Sequence, residues 1–266
     1  MLYKYCDTRG FDILKNSRLL IKKVDNFNDP FELLLGIDVD TAHNIIQKEY
    51  KENPNIINSW KSLLDSKNIK YDKDSNEDIL EKIIEFQIID FENNVPNILR
   101  NQEMGVVCFS ESPDVIQMWA HYTENHTGIV VGIEESEFVN DKQAIITVCY
   151  RDKMVLFPIT MIPEKLDQYV QKYIRDALGR KETHWNYEKE VRLYVSLEEK
   201  DEDGNYYKII PASSIKEIYL GLRSSETTKL VAECIKQREE YKYLKVYKMS
   251  KHKRAYKFNP QEIFFD

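Results

Sequence analysis

The sequence predicts an α+β fold: a mostly antiparallel or split β-sheet core with flanking helices and an inserted helical lobe at 40–102, within a single domain spanning 1–266. Two patterns carry this expectation. Short β-type runs alternate with helical segments along the chain, and one long stretch, Thr41 to Gln102, breaks the alternation with helical periodicity. Composition agrees, because 42% hydrophobic residues with only eight Gly and eight Pro in 266 residues can build the core of one large domain or of a domain with an inserted lobe.

Taken in order, Leu2 to Tyr5 reads as a strand, Phe11 to Lys15 as a helical turn and Leu19 to Val24 as a second strand. The turn-rich Asn26-Phe27-Asn28-Asp29-Pro30-Phe31-Glu32 follows. In the helical block, Ile79, Ile83, Ile84, Phe86 and Ile88 fall at helical spacing with charged residues between them. Val106 to Phe109 is apolar and strand-like. Ser112 as an N-cap and Pro113 at a first helical position then predict a helix that puts Val115, Met118, Trp119 and Tyr122 on one stripe. Further strands are expected at Gly128 to Ile133, Ile145 to Tyr150, Asn186 to Leu197, Tyr206 to Ile210, Ile215 to Leu220 and Tyr243 to Tyr247, with helices at Pro163 to Leu178 and Ser225 to Arg238. Asp201-Glu202-Asp203-Gly204-Asn205 reads as a hairpin-type turn between two strands.

Formal net charge is −7 and the isoelectric point is near 5.5, so no global basic field draws in nucleic acid or an anionic membrane. Cys6, Cys108, Cys149 and Cys234 are widely spaced and form no C-x-x-C pair, which argues against a zinc ribbon or a disulfide scaffold. No apolar run reaches the roughly 18–20 residues that span a bilayer, and the N-terminus lacks a signal-peptide core, so a cytoplasmic protein with no membrane partner is expected.

The richest chemistry lies in Trp185-Asn186-Tyr187-Glu188-Lys189-Glu190-Val191-Arg192-Leu193-Tyr194-Val195. Read as a strand, it places Glu188, Glu190 and Arg192 on one side and Tyr187, Val191 and Leu193 on the other. At a rise of roughly 3.3 Å per residue the two carboxylates begin about 6.6 Å apart, close enough to divide their protonation behaviour. Such a pair serves acid/base chemistry or the gripping of a sugar hydroxyl; the structural alternative is a solvated face whose charges satisfy cross-strand partners.

Other candidates carry double readings. The Asn28-Asp29 segment forms either an Asx-type turn or a ligand-facing loop, with the turn favoured. Tyr122 and His121 end the helix that bears Trp119, where a histidine beside aromatics is more often packed than catalytic. His121, His126 and His184 show no metal-binding spacing, so no metal is expected. Ser110 follows the buried strand without a G-x-S-x-G elbow, and there is neither a Walker-type phosphate loop nor a G-x-G-x-x-G fingerprint.

In order, Leu2-Tyr3-Lys4-Tyr5, Phe27 to Glu32, Cys108-Phe109-Ser110-Glu111, Met118-Trp119-Ala120-His121-Tyr122, Gly128 to Ile133 and Trp185-x-Tyr187-Glu188-x-Glu190-x-Arg192 resemble the motifs of the domain of unknown function 2971 family. The resemblance covers most of the chain and implies a neighbourhood of bacterial and phage-related defence proteins. A second similarity is to ADP-ribosyltransferases, whose late strand carries a Glu-x-Glu or Gln-x-Glu pair. That resemblance implies catalytic roles for Glu188 and Glu190, with Glu190 stabilising the oxocarbenium-like state formed when the nicotinamide bond breaks and Glu188 orienting the ribose or the acceptor. It implies contacts to NAD from Lys4 or Tyr5 and from Ser110, with Tyr5, Trp119 and Tyr122 as aromatics to stack on nicotinamide or adenine; Asn28, Asp29, His121 and Arg192 are further candidates for binding the cofactor. The chain departs from the pattern in having no His or Arg within Leu2 to Tyr5, with Arg9 just beyond.

The function these resemblances imply is an ADP-ribosyltransferase-like effector that uses NAD, a toxin or antiphage protein with a protein or nucleic-acid acceptor. The alternative, from a different class, is a non-catalytic sensor module that binds a nucleotide, an NAD-like small molecule or a partner. A glycosidic-bond hydrolase or nuclease is the third reading.

Overall fold

The computed structural model describes residues 1–23, 27, 29–32, 35–100, 104–141, 145–157 and 172–265. The chain divides into two compact units, the first formed by Met1–Asn28, Glu103–Tyr150 and Glu182–Asp266, the second by Asp29–Gln102 and Arg151–Lys181. Apart from the sheet's one parallel pair, the sheet pairings are antiparallel, as an α+β chain of this pattern requires.

The strands of the first unit are β1 (Leu2–Cys6), β2 (Arg18–Lys23), β3 (Met104–Ser110), β4 (Ile129–Ile133), β5 (Ile145–Thr147), β6 (Glu190–Ser196), β7 (Tyr206–Ile209), β8 (Ile215–Leu220), β9 (Lys245–Lys251) and β10 (Phe258–Ile263). They run in the order β7-β2-β3-β1-β4-β8-β9-β10, and β6 pairs with β3 and β5. β8 and β9 are parallel, and helix α6 (Ser225–Gln237) lies between them in the chain. Register fixes which side chains share a face. Val107, Phe109, Val191 and Leu193 join Leu2, Cys6, Val131 and Ile218 in the main core, which also takes Ile13 and Leu14 from α1 (Asp12–Asn16) and Val231 and Cys234 from α6. On the opposite face Tyr5, Val130, Tyr219, Met249 and Phe258 pack with Met118 and Trp119 of α5 (Ile116–Tyr122).

One strand edge is shared. β1 meets β3 at Ser110, while β2 meets it at Val106 and Gly105, so the two neighbours occupy different stretches of one edge. Lys4 Nζ donates to the Cys108 carbonyl at 2.9 Å, between those stretches. The lysine thus reaches the strand edge between the two neighbouring strands.

In the second unit α2 (Val39–Glu52), α3 (Ile56–Ser66) and α4 (Asn76–Arg100) close on Ala42, Ile46, Trp60, Leu64, Ile79, Ile83 and Ile84. Asp38 caps α2 by accepting from Thr41 N at 2.9 Å. The helical lobe expected at 40–102 lies in this unit, together with a short parallel pair, Leu35–Ile37 with Val155–Phe157.

Four local expectations are corrected. The strand expected from Asn186 begins only at Glu190, because Thr183–Glu188 forms a 3-10 turn ended by Lys189 in the left-handed region at φ 45°. The helix expected from Pro113 begins at Ile116, and Ser112 donates to Asp114 instead of capping it. The turn at Asp201–Asn205 closes with Gly204 at φ 80°, yet β6 and β7 on either side of it do not pair. Ile145 to Tyr150 splits into Ile145–Thr147 and Cys149–Tyr150, since Val148 N turns to the Glu190 carbonyl at 2.9 Å. Asn28 and most of the helix expected at Pro163 to Leu178 lie outside the described residues; 172–178 is helical.

Candidate functional site

The residues singled out in the late segment form a buried polar cluster. Arg192 is fully buried, and its Nε and second terminal nitrogen donate to the two oxygens of Glu190 at 3.0 and 2.9 Å, a bidentate pair with Glu190 only 5% exposed. The Phe27 ring lies 5.2 Å from the same guanidinium. The Glu190 amide donates to Tyr150 Oη at 2.7 Å. Glu188, 2% exposed, accepts from Tyr122 Oη at 2.6 Å, while its carbonyl accepts from Ser110 Oγ at 2.6 Å. Glu190 and Ser110 are direct cross-strand partners. Lys189 stands between the carboxylates in a left-handed conformation, so they do not form the strand pair that the alternation implied. Burial raises the pKa of Tyr194, and neighbouring Arg192 offsets part of that rise.

The remaining candidates make contacts of their own. Tyr5 Oη donates to the Ser112 carbonyl at 2.8 Å and accepts from Val115 N at 3.1 Å. Burial raises its pKa, and the hydroxyl holds the 112–115 segment that leads into α5. Trp119 is fully buried, with its indole N–H donating to the Pro113 carbonyl at 2.8 Å and its ring edge-on to Tyr5. His121 is exposed beside Tyr122. Lys4, in register with Val131, projects to the main-core face, whereas Tyr5 projects to the other. Asp29 is buried in the second unit and accepts from Phe31 N at 2.9 Å, forming the Asx-type turn. Thus Ser110, Tyr122, Glu188, Glu190 and Arg192 come together, while Lys4 bonds the sheet backbone and Asp29 closes its own turn.

A second constellation went unread in the sequence. At the C-terminal end of β8 the loop Gly221-Leu222-Arg223-Ser224 leads into α6, and an open cavity of about 600 Å³ is lined by Leu222, Arg223, Ser225, Thr228, Lys248 and Ile263. Lys248 reaches it from β9, where it pairs with Leu220. Its ammonium donates to the Gly221 carbonyl and to Ser224 Oγ, both at 2.7 Å, and burial lowers its pKa. Neither Lys248 nor Arg223 forms an ion pair among the described residues. Ser224 precedes α6 without capping it by its side chain; its hydroxyl donates to Gly221 O and accepts from Lys248 Nζ. The loop is clamped from the segment after α5: Arg223 N donates to His126 O at 2.9 Å, Gly221 N to Gly128 O at 3.1 Å, and Thr227 Oγ1 to Thr127 O at 2.8 Å. Glu124, Asn125 and His126 all take left-handed φ values to make that clamp. A strand–glycine–helix junction was the signal that could have exposed this site.

Among the described residues no group of three or more His, Cys, Asp or Glu is placed to hold a metal ion, and no helix is long and apolar enough to cross a membrane.

Comparison with protein families matches residues 118–193 to the family described as "Protein of unknown function (DUF2971)". The resemblance to that family is borne out over this segment, which contains the motifs from Met118 to Tyr122, Gly128 to Ile133 and Trp185 to Arg192; those at Leu2, Phe27 and Cys108 lie before it. No curated protein and no solved structure matches the chain, and the similarity to ADP-ribosyltransferases finds no support there.

Proposed function

We propose that this chain is a binding module for an anionic small molecule of the nucleotide class, with the ligand seated at the β8–α6 loop. The cavity carrying Arg223 and Lys248 is the observation behind the reading. Two cations facing one cavity without a carboxylate partner among the described residues invite an anion, and the start of a helix that follows a parallel strand adds backbone N–H groups and a favourable dipole. The polar cluster supports binding over transfer for a separate reason. Both oxygens of Glu190 are held by Arg192 in a buried site, so stabilising an oxocarbenium ion would first require breaking a charge-assisted bidentate pair. Melting curves with AMP and with NAD test the proposal, since a ligand that binds only the folded chain raises its melting temperature. Protection by either nucleotide without nicotinamide release supports it. Catalytic consumption of NAD, or protection by neither, contradicts it.

A further inference from the structure

We infer that the ligand is a phosphate monoester, its phosphate held between Arg223 and Lys248 and its organic group laid against Leu222 and Ile263. This deepens the anion-binding reading and rests on it.

The cavity divides by chemistry. Leu222 and Ile263 give it an apolar wall, and Arg223, Lys248, Ser225 and Thr228 give it a polar one. A bare inorganic anion uses only the second. A monoester uses both, and about 600 Å³ is within the range that holds small organic ligands. The cations are also complementary in kind. Arg223 is exposed and offers a planar fork suited to two phosphate oxygens. Lys248 is half-buried, and with two N–H groups already given to Gly221 O and Ser224 Oγ it retains one for a ligand. Its partial desolvation strengthens attraction to a doubly charged group.

The loop also explains why a dinucleotide fits less well. Loops that cradle a pyrophosphate use several glycines so that the backbone can approach both phosphates. Here Gly221 is the loop's one glycine, and its lack of a side chain already serves another contact: a Cβ there would stand 2.2 Å from the His126 carbonyl. Leu222 and Arg223 place side chains where such a loop needs bare backbone. Recognition therefore falls to side chains, and those present suit one phosphate.

The test is isothermal titration of the full chain at low ionic strength with phenyl phosphate, AMP, adenosine and NAD. At least one monoester should bind one-to-one, with adenosine and NAD at least tenfold weaker. Arg223→Met should weaken monoester binding at least tenfold, and Arg223→Lys, which keeps the charge but loses the fork, should fall between. Arg223 has no ion pair among the described residues, so both variants should melt like the parent. NAD binding as tightly as AMP and sensitive to Arg223→Met would overturn the monoester assignment while leaving the anion-binding reading in place. Equal binding of adenosine and AMP, or monoester binding indifferent to Arg223→Met, would overturn the phosphate contact. Binding of none of the four would sink both.

Discussion

Arg192→Met should be among the most destabilising single changes in the first unit. The arginine is fully buried and holds Glu190 through two hydrogen bonds of 3.0 and 2.9 Å, so its removal leaves a carboxylate that is 5% exposed without its guanidinium. Hydrogen bonds to charged groups contribute about 1.5–3 kcal/mol each, and breaking a buried ion pair from one side costs about 3–5 kcal/mol, so the two ways of reaching the figure agree. At roughly 2–4 °C per kcal/mol for a chain near this size, the apparent melting temperature should fall by about 6–20 °C. Glu190→Gln should also destabilise, since it removes the negative charge that faces the buried guanidinium. The double change Arg192→Met with Glu190→Gln removes both charges and should recover a large part of the loss, which a double-mutant cycle followed by circular dichroism would measure. A shift below about 2 °C for Arg192→Met, or strict additivity in the cycle, would refute the structural role assigned to the pair.

Other perturbations test the packing and the clamp. Trp119→Ala should cost about 3–5 kcal/mol in urea unfolding, because the fully buried indole also satisfies the Pro113 carbonyl; near-parent stability would mean that the ring is not core. Gly221→Ala should lower the melting temperature and abolish protection by AMP, because its Cβ would collide with His126 O, and parent-like behaviour would show that the clamp is not rigid. His126 has its pKa lowered, first by burial and then by Arg223 and Lys251, so the unfolded chain takes up that proton more readily. Stability should therefore decline as the pH drops through roughly 6.5, and His126→Gln should flatten that slope; an unchanged slope would assign it to other groups.

Much of the sheet was legible because Val106 to Phe109 and Gly128 to Ile133 are short apolar runs that can bury their side chains in few other ways, while Ile215 to Leu220 sends Ile215, Ile218 and Leu220 into the core around an exposed Lys216. The helix at Pro113 was misread although Ser112 and Pro113 carry the right local signals. Distant groups, Tyr5 Oη and the Trp119 indole, take up the backbone of 112–115 and outweigh those signals. Strand alternation failed at Lys189 because one left-handed residue separates Glu188 from the strand that begins at Glu190. β10 went unseen because Phe258-Asn259-Pro260-Gln261-Glu262 is mostly exposed and carries a proline, a pattern that only an edge strand tolerates. The cavity was out of reach for a different reason. Its loop has no phosphate-binding fingerprint, and Lys248 arrives from a strand well beyond α6, so the two cations meet only once β8 and β9 pair.

The most direct measurement is an amide chemical-shift map of the isotope-labelled chain titrated with AMP. The largest shifts should fall on Gly221 to Thr228 and Lys248, with smaller ones relayed to His126 through its clamp on Arg223. Shifts concentrated instead on Ser110, Tyr122, Glu188 and Glu190 would place the ligand at the polar cluster and contradict the proposed site.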